Sequence, residues 1–245
     1  MARNPTGRTA VVTGGTRGIG RGICELFQSR DYKVVAGYGG DAAKAAQFTE
    51  ETGIPALQWD VSDHDACAKA VEKIAADYGT IGVLVNNAGI TRDGTLRKMS
   101  YQNWMDVIQT NLTSVFNMSK AVWEPMVQER FGRIVNITSV NGQAGQYGQV
   151  NYCAAKAGVI GMTQAMAQEG ARYNITVNAV APGYVDTDMV SAVPDNVLEK
   201  IVGTIPVGRL GNPLEIARAV GYLTRDDSEF VTGSTVSING GQHMY

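Results

Sequence analysis

Cysteine and histidine are scarce in this chain of 245 residues, with three of the first and two of the second. Cys24, Cys67 and Cys153 lie far apart and form no CxxC pair, and the histidines are His64 and His243. The sequence therefore predicts neither a disulfide framework nor a metal centre of thiolates and imidazoles. Long apolar runs are missing too. No stretch of about 18 apolar residues is present to span a bilayer. The opening MARNPTGRTAVVTGG lacks the apolar segment of a secretory signal. The expectation is a soluble cytoplasmic protein. Charge of one sign is not in excess either. The net value is −2, which gives no electrostatic case for binding nucleic acid or an anionic membrane. Charged residues make up only 18%, below the usual quarter, which points to surface covered by self-association.

What is plentiful is glycine, 29 residues, and apolar side chains, 44%, enough to exclude a disordered chain. The glycines follow no collagen-like period, so they read as tight turns and close backbone approaches to a ligand. Short β-branched runs alternate with longer helical patterns. The strands read as Thr9–Thr13, Lys33–Gly37, Ile54–Val61, Ile81–Asn86, Arg133–Thr138, Ile175–Ala181 and Ser234–Ile238. Helices are predicted over Gly18–Ser29, Asp41–Thr52, from the cap Asp63 to Tyr78, and over Asn151–Tyr173. Tyr101–Arg130 reads as one long or kinked helical region, and shorter helices fall near 194–203 and 213–224. Such alternation predicts one α/β domain over 1–245, a parallel sheet with crossover helices on both faces. Prolines and glycines over about 182–206 mark either a flap above a site or an ordinary surface excursion.

After the first strand comes Thr13-Gly14-Gly15-Thr16-Arg17-Gly18-Ile19-Gly20, opening a helix. Such a turn lets backbone approach a pyrophosphate while the helix N-terminus offers free N–H groups and a favourable dipole. The second strand ends in Ala36-Gly37-Tyr38-Gly39-Gly40, with no acid before Asp41 to hold ribose hydroxyls. A missing acid and the guanidinium of Arg17 favour a 2′-phosphate, hence NADP(H). Arg17 also reads as a solvated loop cation, and Asp41 as a helix cap.

Tyr152 and Lys156 stand four apart at the start of the long helix, so both side chains lie on one face. A neighbouring ammonium stabilises phenolate, so the pair makes a general acid for a carbonyl becoming an alcohol. Ser139 follows the fifth strand, at the sheet edge where open α/β folds bind ligands.

Together these motifs resemble the short-chain dehydrogenase/reductase family. The resemblance runs through Thr13–Gly20, Asp60-Val61, Asn86-Asn87-Ala88-Gly89, Asn111, Ser139, Tyr152 with Lys156, and Pro182-Gly183 with Thr187. It implies a Rossmann-type doubly wound domain with a seven-stranded parallel sheet. It also implies that Tyr152 protonates the substrate oxygen and Ser139 hydrogen-bonds it. Lys156 would hold the nicotinamide ribose and lower the tyrosine's pKa, and Asn111 would anchor a water linking Lys156 to solvent. For the cofactor it implies Gly14, Thr16, Arg17, Gly18, Ile19 and Gly20 at the pyrophosphate. Asp60 and Val61 would lie at the adenine, with Asp60 also readable as a loop cap. Asn87, Ala88 and Gly89 would run beneath it, and Pro182, Gly183, Val185 and Thr187 would meet the carboxamide.

Two branches fit, the acetoacetyl-CoA reductases and the 3-oxoacyl-acyl-carrier-protein reductases. The segment Ser139–Tyr152 is more similar to the first, which implies a short acyl group held by Gln146, Gln149, Asn141 and Tyr184. Arg92, Arg97 and Lys98 would meet the phosphates of CoA. Arg130 and Arg172 match positions where the carrier-protein enzymes hold their acidic partner. A non-catalytic NADP-binding scaffold and a sugar or steroid dehydrogenase are the further alternatives. The family also implies a homotetramer, paired through the long helix (Ala154, Ala155, Ala157, Gly158, Gly161, Ala165) and through Val115, Met118 and Val122.

Overall fold

The structure is a computed structural model that describes residues 7–187 and 195–244. Strand β1 (Thr9–Thr13) leads through the glycine turn into α1 (Gly18–Gln28). Then come β2 (Lys33–Tyr38), α2 (Ala42–Thr52), β3 (Ala56–Gln58), α3 (His64–Tyr78) and β4 (Ile81–Asn86). Helices α4 (Tyr101–Ile108) and α5 (Ser114–Glu129) precede β5 (Gly132–Ile137), the short α6 (Val140–Ala144) and α7 (Val150–Gly170). Strand β6 (Ile175–Pro182), α8 (Asp195–Gly203), α9 (Pro213–Leu223) and β7 (Thr235–Ile238) complete the order.

The sheet has seven strands in the order β3-β2-β1-β4-β5-β6-β7, every neighbouring pair parallel. From β1 the chain winds outward to β2 and β3, then returns to place β4 on the other side. That reversal opens a crevice at the carboxyl ends of β1 and β4. The strands are apolar on both faces because both are covered. Ala10, Val12, Val83, Val85 and Val135 pack with Ile23, Phe27 and Ile216 of α1 and α9. The alternate residues Val11, Leu84 and Ile134 pack with Ile74, Met118, Val122 and Met126 of α3 and α5. Each such buried side chain stabilises the fold by about 1.5–3 kcal/mol.

Most predicted boundaries agree to within one or two residues. β3 is shorter than the predicted Ile54–Val61, because Pro55 has no N–H for the ladder and lends only its carbonyl, to Ala36 N. The region 101–130 is two helices joined by a π-helical turn, Gln109–Thr113, with Asn111 at its centre. The long helix gives way at Gly170 to a 3₁₀ turn, Ala171–Tyr173. Met118 and Val122, expected on a pairing face, lie instead in the core beneath the sheet, and Val115 is buried too. The flap expected over 182–206 lies partly outside the described residues. Among the described residues no helix is long and apolar enough to cross a membrane, and no His, Cys, Asp and Glu cluster could hold a metal ion.

Candidate active site

The phosphate loop is shaped by contacts that only glycine allows. Gly14 has φ +62°, and a Cβ on Gly20 would collide with the Gly14 carbonyl. Arg17 sits at the α1 N-cap, exposed, and its side chain caps none of the first-turn N–H groups. Those donors remain available to an anion. Thr13 Oγ1 accepts from the N–H groups of Asn87 and Ala88, both at 3.0 Å. The Asn87 amide donates back to the carbonyls of Thr13 and Gly14, also at 3.0 Å. Loop and β4 end are thus stitched into one floor. Thr187 closes over it, its methyl 3.3 Å from where a Cβ on Gly18 would stand. Gly183 N–H donates to the Ile238 carbonyl at 3.0 Å, and Val185 bridges to Gly211. A glycine cradle at a helix N-terminus, floored by backbone, fits a dinucleotide pyrophosphate.

Each acid near this floor makes a local capping bond through Oδ1. The Asp41 carboxylate caps α2, accepting from Lys44 N at 3.0 Å. The Asp60 carboxylate accepts from the N–H and hydroxyl of Ser62 at 2.8 and 2.7 Å. That is the geometry of a loop cap made through Oδ1.

The reactive groups gather beside Gly89. Asn111 is fully buried, and its amide clamps Ile90: Oδ1 accepts from Ile90 N at 2.8 Å and Nδ2 donates to Ile90 O at 2.9 Å. A Cβ on Gly89 would sit 3.4 Å from Asn111 Oδ1 and 3.7 Å from Lys156 Nζ, so three segments converge there. Lys156 is 4% exposed. Its ammonium donates to the Ile137 carbonyl at 2.7 Å and lies 5.7 Å from the Tyr152 ring centre. Ser139 caps α6, its oxygen accepting from Asn141 N at 3.1 Å, which leaves the hydroxyl proton to donate.

Burial sets the protonation of this pair. It pushes Tyr152 up to about 12, with the Ser139 hydroxyl pulling back and Cys153, Asp93 and Tyr184 adding to the rise. It pulls Lys156 down to about 8 from its ordinary 10.5. Loss of hydration is the largest influence on both groups in the cofactor-free chain.

The substrate side holds a chain of amides that the sequence did not announce. Asn141 Nδ2 donates to Gln149 Oε1, and Gln149 Nε2 donates to Asp93 Oδ2, both at 2.9 Å. Gln149 is thus anchored at both ends, with one amide hydrogen left for a ligand. Asp93 is the group that sequence reasoning missed, because a lone loop carboxylate has no diagnostic spacing. Tyr184 is half-buried beside it and its phenol is pushed up by burial. Gln146 is exposed, and so is Arg92, whose guanidinium is 3.9 Å from Asp106. Arg130 and Arg172 meet at the far end of α7, Arg130 Nη2 donating to the Arg172 carbonyl at 3.2 Å.

A short-chain dehydrogenase/reductase model, described as enoyl-(acyl carrier protein) reductase, matches residues 14–243. The chain is 56% identical to the acetoacetyl-CoA reductase of Rhizobium meliloti, over 97% of this chain and 99% of the relative. It is 48% identical to the acetoacetyl-CoA reductase of Cupriavidus necator, over 98% and 99%. It is 45% identical to the 3-oxoacyl-acyl-carrier-protein reductase of Escherichia coli, again over 98% and 99%. Fold, loop, tyrosine–lysine pair and these likenesses agree: the chain belongs to the short-chain dehydrogenase/reductase family, and it is an oxidoreductase that uses a nicotinamide cofactor.

Proposed function

We propose that this chain reduces the 3-oxo group of acetoacetyl-CoA to (R)-3-hydroxybutyryl-CoA with NADPH, in the cytoplasm, as a homotetramer and within polyhydroxybutyrate synthesis. The observation that carries the substrate reading is the anchored row Asn141–Gln149–Asp93 beside Tyr152 and Tyr184. A wall of polar groups held in place by one another suits a short polar acyl group, because a long apolar chain could not satisfy the half-buried amides of Asn141 and Gln149. The relatives named as acetoacetyl-CoA reductases support the same reading.

Tyr152 and Ser139 would share the substrate oxygen, Ser139 turning its hydroxyl proton from the phenol to that oxygen and Tyr152 transferring its own as the alcohol forms. The bound cofactor would supply the hydride. Lys156 holds its ammonium against the Ile137 carbonyl and faces the phenol, ready to steady the phenolate left behind. Each end of the Asn111 side chain makes one bond to Ile90, which fixes the amide and the π turn that would carry a relay water. Arg17, exposed at the α1 N-cap, would read the 2′-phosphate. Arg92, Arg97 and Lys98, exposed after β4, would meet the phosphates of CoA.

For self-association, α7 turns a stripe of small exposed residues outward, Ala154, Ala157, Gly161 and Ala165. With Val115, Met118 and Val122 buried, this stripe is the face left for pairing.

The carrier-protein reading has one observation in its favour, the paired Arg130 and Arg172. Arg172 stands twenty residues beyond Tyr152, about 30 Å along the helix at about 1.5 Å per residue, and Arg130 meets it there, away from the same chain's site. The test follows NADPH oxidation with acetoacetyl groups on CoA and on carrier protein. A higher kcat/KM for CoA supports the proposal. A preference for carrier protein that Arg130→Ala with Arg172→Ala abolishes would overturn it.

A further inference from the structure

Three consecutive residues at the end of β5 each bond to α7. Asn136 Nδ2 donates to Thr163 Oγ1 at 2.9 Å, the Ile137 carbonyl accepts from Lys156 Nζ at 2.7 Å, and Thr138 Oγ1 donates to the Lys156 carbonyl at 2.7 Å. All three side chains of this end are buried, Thr138 at 2% exposed. Asn136 and Thr138 share a sheet face, as alternate strand residues must. The Thr138 N–H is itself fixed, donating to the Val180 carbonyl at 2.8 Å in β6.

We infer that Thr138 is a positioning residue for the reaction, setting the register between the strand end that carries Ser139 and the helix that carries Tyr152 and Lys156. Its hydroxyl grips the main chain of the reactive lysine itself, and the next residue is the reactive serine. A helical carbonyl has two lone pairs, so this bond leaves room for the helix's own. Gly142 completes the approach from the other side. A Cβ there would lie 2.8 Å from both the carbonyl carbon and the Cβ of Lys156, so α6 rests on α7 at the same residue. Ser139 and Tyr152 must meet one carbonyl oxygen with Lys156 held behind the phenol, and the three arrive on two elements. Thr138 is the side chain that ties those elements at the level of the chemistry.

The inference rests on the roles of Ser139, Tyr152 and Lys156, not on which thioester is used. Its test measures kcat and KM with NADPH and acetoacetyl-CoA, or acetoacetyl carrier protein should the wild type reduce that instead. Thr138→Val keeps the shape and removes the hydroxyl. A slip of the order of an ångström should lower kcat by about 10- to 100-fold. KM for the thioester should stay within about threefold, because the amide row that faces it is untouched. Thr138→Ser keeps the hydroxyl and should restore kcat to within about threefold of wild type. If Thr138→Val fails to fold, Thr138→Ala, which removes both hydroxyl and methyl, carries the same comparison. A Val or Ala variant with wild-type kcat, a change confined to KM, or a Ser variant as slow as Val would each overturn the assignment.

Discussion

Replacing Lys156 by methionine should make the cofactor-free protein more stable at neutral pH while abolishing turnover. The ammonium is 4% exposed, and burial draws its pKa from 10.5 to about 8. At about 1.4 kcal/mol per pH unit, that fall means the folded state carries the charge at a cost of about 3 kcal/mol. Methionine has a similar length and no charge. It gives up the charge-assisted bond to the Ile137 carbonyl, a loss of about 2 kcal/mol. The net gain at pH 7 is about 1 kcal/mol, or roughly 2–4 °C in Tm for a chain of this size.

The pH dependence gives the sharper check. Below pH 8 the lysine is charged in both folded and unfolded chains, and the whole penalty is present. Between pH 8 and 10.5 the folded lysine is neutral while the unfolded one still binds its proton, so wild-type stability rises with pH. Above 10.5 both are neutral and the penalty is gone. The advantage of Lys156→Met should therefore shrink from pH 7 to pH 10. Thermal and urea melts at fixed protein concentration, at pH 7 and pH 10, measure it. A variant no more stable than wild type at pH 7, or an advantage equal at both pH values, would refute the reasoning.

Tyr152→Phe should reduce turnover about 100-fold or more while NADPH titration stays near wild type, since only the proton donor is removed; a tenth of the activity retained would unseat the general acid. Arg17→Ala should weaken NADPH by about 10- to 150-fold, the worth of a charge-assisted contact of about 1.5–3 kcal/mol, and leave NADH nearly unchanged. Equal loss for both would make Arg17 a support of the loop. Light scattering at micromolar concentration should give the mass of four chains, and a monomer mass would remove the tetramer.

The sequence carried the fold where hydrophobic period and β-branching agree, as in Thr9–Thr13 and Ile81–Asn86, which the structure reproduces residue for residue. It was less legible where tertiary contacts decide. α6 is five residues around Gly142, too short for a periodic signal, yet it seats on the Lys156 backbone. The π turn at Asn111 has no compositional mark beyond a buried asparagine in a helix. Met118 and Val122 have the three- and four-residue spacing of an interface, but a helix lying on a sheet has the same spacing. The individual reactive residues were readable from their types and order. The partners that hold them, Ile137 O, Thr138 and Asp93, were not, because a carbonyl, a threonine and a loop acid become specific only through distance.

Burial moves Tyr152 and Lys156 in opposite directions for one reason, that each is hard to charge away from water. The consequence is directional. At neutral pH the tyrosine holds its proton and the lysine holds its charge, so the site already contains the acid that carbonyl reduction consumes. Giving that proton up leaves a phenolate beside the ammonium on α7, which the Ile137 carbonyl and the Thr138 hydroxyl keep within reach. Alcohol oxidation would need the phenolate first, and burial opposes it until the pH rises. A site with the tyrosine raised and the lysine still largely charged at pH 7 therefore starts in the protonation state that reduction consumes. That state comes from how deeply the first turns of α7 are set against the end of β5, before any substrate arrives.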